Sequence, residues 1–174
     1  MAAAVQGVRQ VDLQIPIIAC MSFDTHGRTM MGVTPEDAVQ QMLDLGVFAV
    51  GGNCGSGTAE MLQVIERMHA VAPEAALVAK SNAGVPELEG GKAVYRAKPQ
   101  AMAEFALAAR ARGARIIGGC CGTRPEHISA MAAALAEHPP PAEIKRAPID
   151  VVAERGDIVG RVQRRRRRRR RNNG

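Results

Sequence analysis

Four short apolar runs, each followed by a stretch of helical periodicity, recur along this chain every 30 to 40 residues or so, about the size of a βα unit with its loops. The runs occupy residues 15–21, 47–50, 76–80 and 114–117. The helical stretches carry their own punctuation. Thr34 stands as an N-cap before Pro35, Glu36 and Asp37, Val39, Met42 and Leu43 share one face, and Gly46 ends the pattern. A second helix is predicted over residues 58–70 with Met61, Leu62, Ile65 and Met68 at helical spacing. Pro99 opens a third, lined by Met102, Phe105 and Ala109 and closed by Gly113. Thr123 and Pro125 open a fourth carrying Ile128, Met131 and Leu135. Strands alternating with helices predict an α/β fold of four parallel βα units. A closed eight-unit barrel needs about 250 residues, so four units predict either a small open sheet or part of a barrel.

Residues 1–138 are read as this unit, and 139–174 as a Pro-punctuated extension with a tail. The tail holds eight consecutive arginines, Arg164 the first and Arg171 the last. They contribute +8 to a net charge of +6, so the rest of the chain sums to −2. Such a run repels itself, which predicts a disordered Arg-rich tail able to make weak contact with a polyanion or an anionic surface. With no Trp, one Tyr and three Phe, the chain lacks the aromatic platform on which single-stranded nucleic acids stack. No window approaches the roughly 18 apolar residues of a membrane span. The first residues mix Arg9, Gln10 and Asp12 among apolar ones, which is unlike a secretory signal. A cytoplasmic location follows as the expectation, and with it cysteines kept as thiols or metal ligands.

In parallel α/β folds ligands bind at the carboxyl ends of the strands. Ser22 and Asp24, Asn53 and Cys54, Ser81 and Asn82, and Cys120 and Cys121 all fall there, among glycines that let backbone approach a ligand. Cys54 from one strand end and Cys120 with Cys121 from another could form the three-ligand set of a catalytic zinc site. On spacing alone two other readings stand beside it: small buried hydrophobes and a redox-active vicinal pair. Cys20 lies inside a strand and is assigned to the core. His26, His69, His127 and His138 lack ligand-like spacing to the cysteines, except that His127 follows the vicinal pair; it is read as structural.

Three segments carry a more specific signal: Gly51-Gly52-Asn53-Cys54-Gly55, Lys80-Ser81-Asn82-Ala83-Gly84-Val85-Pro86, and Gly118-Gly119-Cys120-Cys121-Gly122-Thr123 followed by Pro125-Glu126-His127-Ile128. In this order they resemble the homocysteine S-methyltransferase family, which spans betaine-homocysteine methyltransferase and the homocysteine-binding module of cobalamin-dependent methionine synthase. The resemblance covers roughly residues 12–136. It implies the C-terminal half of a (βα)8 TIM barrel, with the family's Asp-Gly-(Ala/Gly)-Met-Gly opening absent. It also implies Zn2+ held by Cys54, Cys120 and Cys121, and transfer of a methyl group to the thiol of homocysteine to give methionine. Asn53, Ser22 and Asn82 are expected to orient substrate or ligands. The methyl donor stays open among methylfolate, betaine, S-methylmethionine and a methylated corrinoid. Exposed strand edges and an uncovered interior in a half-barrel imply a homodimer or a complementary N-terminal half as partner.

Two other classes compete with the methyltransferase: a non-enzymatic zinc- or nucleic-acid-binding protein working through its Arg tail, and a thiol redox protein using Cys120 and Cys121. Deleting residues 164–171 separates the first from the enzyme. The expected outcome in a heparin-retention assay is loss of polyanion binding with metal content unchanged; loss of both would make the tail part of the working site.

Overall fold

A computed structural model describes residues 1–139, so the expectations for the extension and the Arg tail lie outside the described residues. The sheet has four parallel strands in chain order: β1 (Ile18–Met21), β2 (Ala49–Cys54), β3 (Leu77–Ser81) and β6 (Ala114–Gly119). Between β3 and β6 lies a small antiparallel hairpin of β4 (Glu87–Glu89) and β5 (Lys92–Val94). The helices are α1 (Ala2–Val11), α2 (Pro35–Asp44), α3 (Thr58–Val71), α4 (Pro99–Ala111) and α5 (Pro125–Glu137). Strands that follow one another in space as in sequence, joined by right-handed crossovers, place the connecting helices on one side. Accordingly α2 packs on α3, α3 on α4, and α4 on α5.

The core lies between that helix layer and the sheet. Val50 and Gly52 of β2, and Leu77 and Ala79 of β3, face Val39, Met42, Met61, Val64, Ile65, Met68, Met102 and Phe105, all buried. A Cβ on Gly52 would run into Met61 and Val64, so helix α3 rests directly on the backbone there. Strand alternation turns Ile18, Cys20, Asn53, Lys80, Ile116 and Gly118 to the opposite face. At its edge Ile18 is 52% exposed.

The helix starts follow the local chemistry. At α2 the Thr34 hydroxyl accepts from the Asp37 amide at 3.1 Å, with Pro35 at the first position. At α5 the cap is Arg124, one residue later than Thr123. The Arg124 amide donates to His127 Nδ1 (3.0 Å), so the Nε2 of that ring carries the proton and donates to the Ala97 carbonyl at 2.9 Å. His127 thus ties α5 to the segment before α4, a structural role.

Several boundaries differ from the sequence reading. Strand β2 runs on through Gly51, Gly52, Asn53 and Cys54 instead of ending at Val50, and β6 continues to Gly119. Glycines weaken a strand signal, yet here parallel pairing with β3 holds them extended. The amino-terminal residues, given no element from sequence, form α1. Its Val5 reaches the core, and Arg9 hydrogen-bonds the carbonyls of Leu13, Ile15 and Gly46. The polar stretch after residue 86 contains the β4–β5 hairpin. Turn residues Gly90 and Gly91 have positive φ (55° and 77°), and Arg96 pairs with Glu87 and Glu89.

Helices α2 and α3 are joined by Arg67, whose guanidinium grips the Glu36 carboxylate through two bonds of 2.7 and 2.8 Å and also reaches the Gly27 carbonyl. The Arg67 hydrogen bonds hold the Glu36 carboxyl below its ordinary range. A depressed folded-state pKa stabilises the fold above the unfolded value and loses that contribution as pH falls through the folded value. Glu36→Gln is therefore expected to cost about 0.5–1 kcal/mol at pH 7, the half-exposed pair being screened by solvent. In urea unfolding the gap between wild type and variant should close progressively below about pH 4.

Candidate metal centre

Register decides which strand ends meet. Cys54 lies beside Ser81, and Ser81 beside Gly119, so the chain leaving β2, β3 and β6 emerges at one level. The loops after β3 and β6 then interlock. The Cys120 amide donates to the Ser81 carbonyl (2.8 Å), and the Ala83 amide to the Cys121 carbonyl (2.9 Å). Asn82, only 4% exposed, completes the frame. Its Nδ2 donates to the Gly55 carbonyl at 2.9 Å, and its Oδ1 accepts from the Cys121 amide at 3.1 Å. One side chain just past β3 thereby ties the Cys54 loop to the Cys121 loop.

The three sulfurs converge. Cys54 Sγ is 2.7 Å from Cys120 Sγ and 3.9 Å from Cys121 Sγ, and Cys120 and Cys121 are 4.0 Å apart. Backbone conformation aims them. Cys54 adopts φ 58°, in the left-handed region that a residue with a side chain seldom enters; such conformations persist only where surrounding structure enforces them. Gly119 has no room for a Cβ because Thr123 lies against it, and Gly122, at φ 74°, has the ring of Tyr95 in the same place. The glycines flanking the vicinal cysteines are therefore demanded by contact.

Two of the thiols depart from their ordinary range in opposite directions. Partial burial pushes Cys54 up to about 12, with its hydrogen bonds to Cys120 and Cys121 adding to the rise and the Asn53 amide opposing it. For Cys120 burial acts upward too, but hydrogen bonds from Cys54 and Cys121 and the Cys121 backbone outweigh it, and the thiol is lowered.

Of the other residues singled out from sequence, Asn53 is brought to the site: its Nδ2 lies 3.4 Å from Cys54 Sγ. Asn82 is brought there as a clamp on backbone. Ser22 follows β1 directly and is half-buried, with no hydrogen bond to the trio. Cys20 lies on the face of the sheet away from the helices, half-buried rather than in the core, its thiol raised by burial while the Lys80 charge acts the other way. The reading from sequence missed Tyr95, which packs beside Gly122. Its available signal was that it is the single tyrosine of the chain, lying between the Asn82 segment and α4.

Comparison with known proteins agrees with this geometry. The profile of the family described as homocysteine S-methyltransferase matches residues 1–135. The chain belongs to the homocysteine S-methyltransferase family. The match includes α1 and so extends beyond the residues 12–136 that carry the sequence resemblance. The chain is 36% identical over 141 residues to methionine synthase of Mycobacterium leprae and, to the same degree, to that of Mycobacterium tuberculosis. Each alignment covers 77% of this chain, which spans 11% and 12% of the two relatives' lengths.

Within the family frame the trio can be tested against a metal. Four sulfurs about 2.3 Å from a tetrahedral zinc stand about 3.8 Å apart. Two of the three separations, 3.9 and 4.0 Å, meet that spacing. The third, 2.7 Å, is a thiol–thiol hydrogen bond that would open by about 1 Å on losing its proton to a metal of this size. All three sulfurs lie within 4.8 Å of one another, the one such grouping among the described residues. The donor set fits a soft divalent metal.

Asn82→Ala removes both bridging hydrogen bonds and leaves the Gly55 carbonyl and Cys121 amide without their partner. We expect a loss of about 2 kcal/mol in urea unfolding and at least about tenfold weaker zinc binding in a chelator competition. A variant with normal zinc affinity would mean that the two cysteine loops hold their positions without the clamp.

Proposed function

We propose that this chain is the zinc-thiolate portion of a homocysteine S-methyltransferase, equivalent to the C-terminal half of a (βα)8 barrel. The single observation that carries the reading is the convergence of Cys54, Cys120 and Cys121, drawn from two strand-end loops, within 4.8 Å. Family membership and the likeness to two methionine synthases support the reaction class.

Cys54, Cys120 and Cys121 are the residues that would hold Zn2+, as thiolates. When bound, the metal supplies the Lewis acidity that removes the proton of a thiol whose ordinary pKa is about 8.5. Three thiolates outweigh two positive charges, so a substrate sulfur entering this set stays electron-rich and suited to attack a methyl donor. Asn53 orients Cys54 through its amide, Asn82 fixes the two cysteine loops, and Ser22 faces substrate from the end of β1. No side chain is assigned as a general base. The donor belongs to the methylated cofactors, onium compounds or corrinoids that related barrels use. The face bearing Ile18, Asn53 and Lys80, away from the helices, is the surface that a complementary half-barrel or a second copy covers. No described helix is long and apolar enough to cross a membrane, and a cytoplasmic location accords with cysteines kept reduced.

The test is the zinc content of the purified protein, prepared under reducing conditions with zinc supplied, alongside Cys54→Ser and Cys120→Ser. About one zinc per chain, lost in both variants, is expected. A wild-type chain that takes up none rejects the reading.

A further inference from the structure

On the face of the sheet away from the helices, the last row before the sulfurs is Asn53 of β2, Lys80 of β3 and Gly118 of β6, which are partners in register. The row beneath it, Cys20, Gly51, Val78 and Ile116, carries no charge. Lys80 is the one charged residue that the four strands place on this face. Its stem lies across Gly118: the Cγ stands 3.7 Å from where a Cβ on that glycine would be. The side chain therefore leans toward β6, the strand that leads into Cys120 and Cys121.

This ammonium has no acid to answer it. The ion pairs among the described residues are made by Arg67, Arg96 and Arg112, and Lys80 takes part in none. Asp24, beyond the end of β1, is exposed and its carboxylate accepts from the Thr25 hydroxyl. Cys20 shares the face, but a thiol is neutral near pH 7 and offers no counter-charge. A half-buried cation loses hydration without a partner to offset the loss. It is for the same reason a ready receptor for a carboxylate, to which an ammonium gives a charge-assisted hydrogen bond.

We propose that Lys80 is a specificity-determining residue that binds the carboxylate of the thiol substrate while the substrate's sulfur lies at the cysteine trio; this rests on the thiolate-centre reading above. The spacing suits an amino-acid thiol. Gly118 precedes Cys120 by two residues, about 6–7 Å along an extended chain. Homocysteine holds its carboxylate three carbons from its sulfur, and the four-carbon stem of a lysine takes up the remaining distance. A centre with sulfur recognition alone would accept any thiol of similar size. With Lys80 in this row it selects an anionic one.

The test uses the full chain loaded with cobalt(II) and two thiols of equal length, 4-mercaptobutanoate and its neutral amide. Each is titrated against the sulfur-to-cobalt charge-transfer absorption. Wild type is expected to bind the carboxylate at least about tenfold more tightly than the amide. Lys80→Met should bring that ratio to about one by weakening the carboxylate alone, and Lys80→Arg should keep part of the preference. Because the ratio is taken within each variant, any change in stability or cobalt affinity cancels. A wild type that does not distinguish the two thiols, or a Lys80→Met variant that keeps the full preference, overturns the assignment of Lys80 alone. A wild-type chain that binds no cobalt, or whose cobalt spectrum responds to neither thiol, overturns the thiolate-centre reading and this assignment with it.

Discussion

Parallel pairing with β3 in the middle is the constraint on which the rest depends. Cys54 and Cys120 are 66 residues apart in sequence, and neither strand pairs with the other. Each pairs with β3, and the shared register sets Cys54, Ser81 and Gly119 in one row. Because parallel strands all end at the same edge, the loops that follow them have to meet there. The Cys120–Ser81 and Ala83–Cys121 backbone bonds continue the ladder past the strand ends and carry its order into the loops. The sulfur cluster is in this sense the last rung of the sheet.

Holding three thiols that close costs local stability, and the cost is visible. Cys54 sits at positive φ, and the glycines at 119 and 122 have neighbouring side chains where their own would be. The helix layer offsets this. Helices α3, α4 and α5 bury Met61, Val64, Met68, Met102, Phe105 and Met131 under the same strands. Burial of each large side chain contributes on the order of 2 kcal/mol, against about 1–3 kcal/mol for a residue held in a strained conformation. The core therefore keeps the site rigid while the site itself stays half open.

The two faces of the sheet have different consequences. One is sealed by helices and sets stability. The other carries Ile18, Cys20, Asn53, Lys80 and Gly118, and its edge is exposed. The complementary half proposed for this chain belongs to that second face. The matched methionine synthases are many times longer than this chain, so whatever surrounds this unit in them has no counterpart among the described residues.

Much of this was legible in the sequence, because the signals were local. Apolar runs separated by helical periodicity gave the four βα units. Thr34 and Pro35 marked a helix start by satisfying backbone groups within one turn, and the motif of residues 118–123 marked the family. Other features were not legible for physical reasons. The extension of β2 through Gly51 and Gly52 depends on pairing with β3, since glycine itself has no strand preference. The role of His127 depends on Ala97, thirty positions away, and the contact of Tyr95 with Gly122 depends on where the hairpin folds. Sequence alone determined which residues could ligate a metal, because ligand chemistry resides in the side chain. Only the tertiary structure decided that Asn82 clamps two loops, because that role consists of hydrogen bonds between segments that nothing in their local sequence brings together.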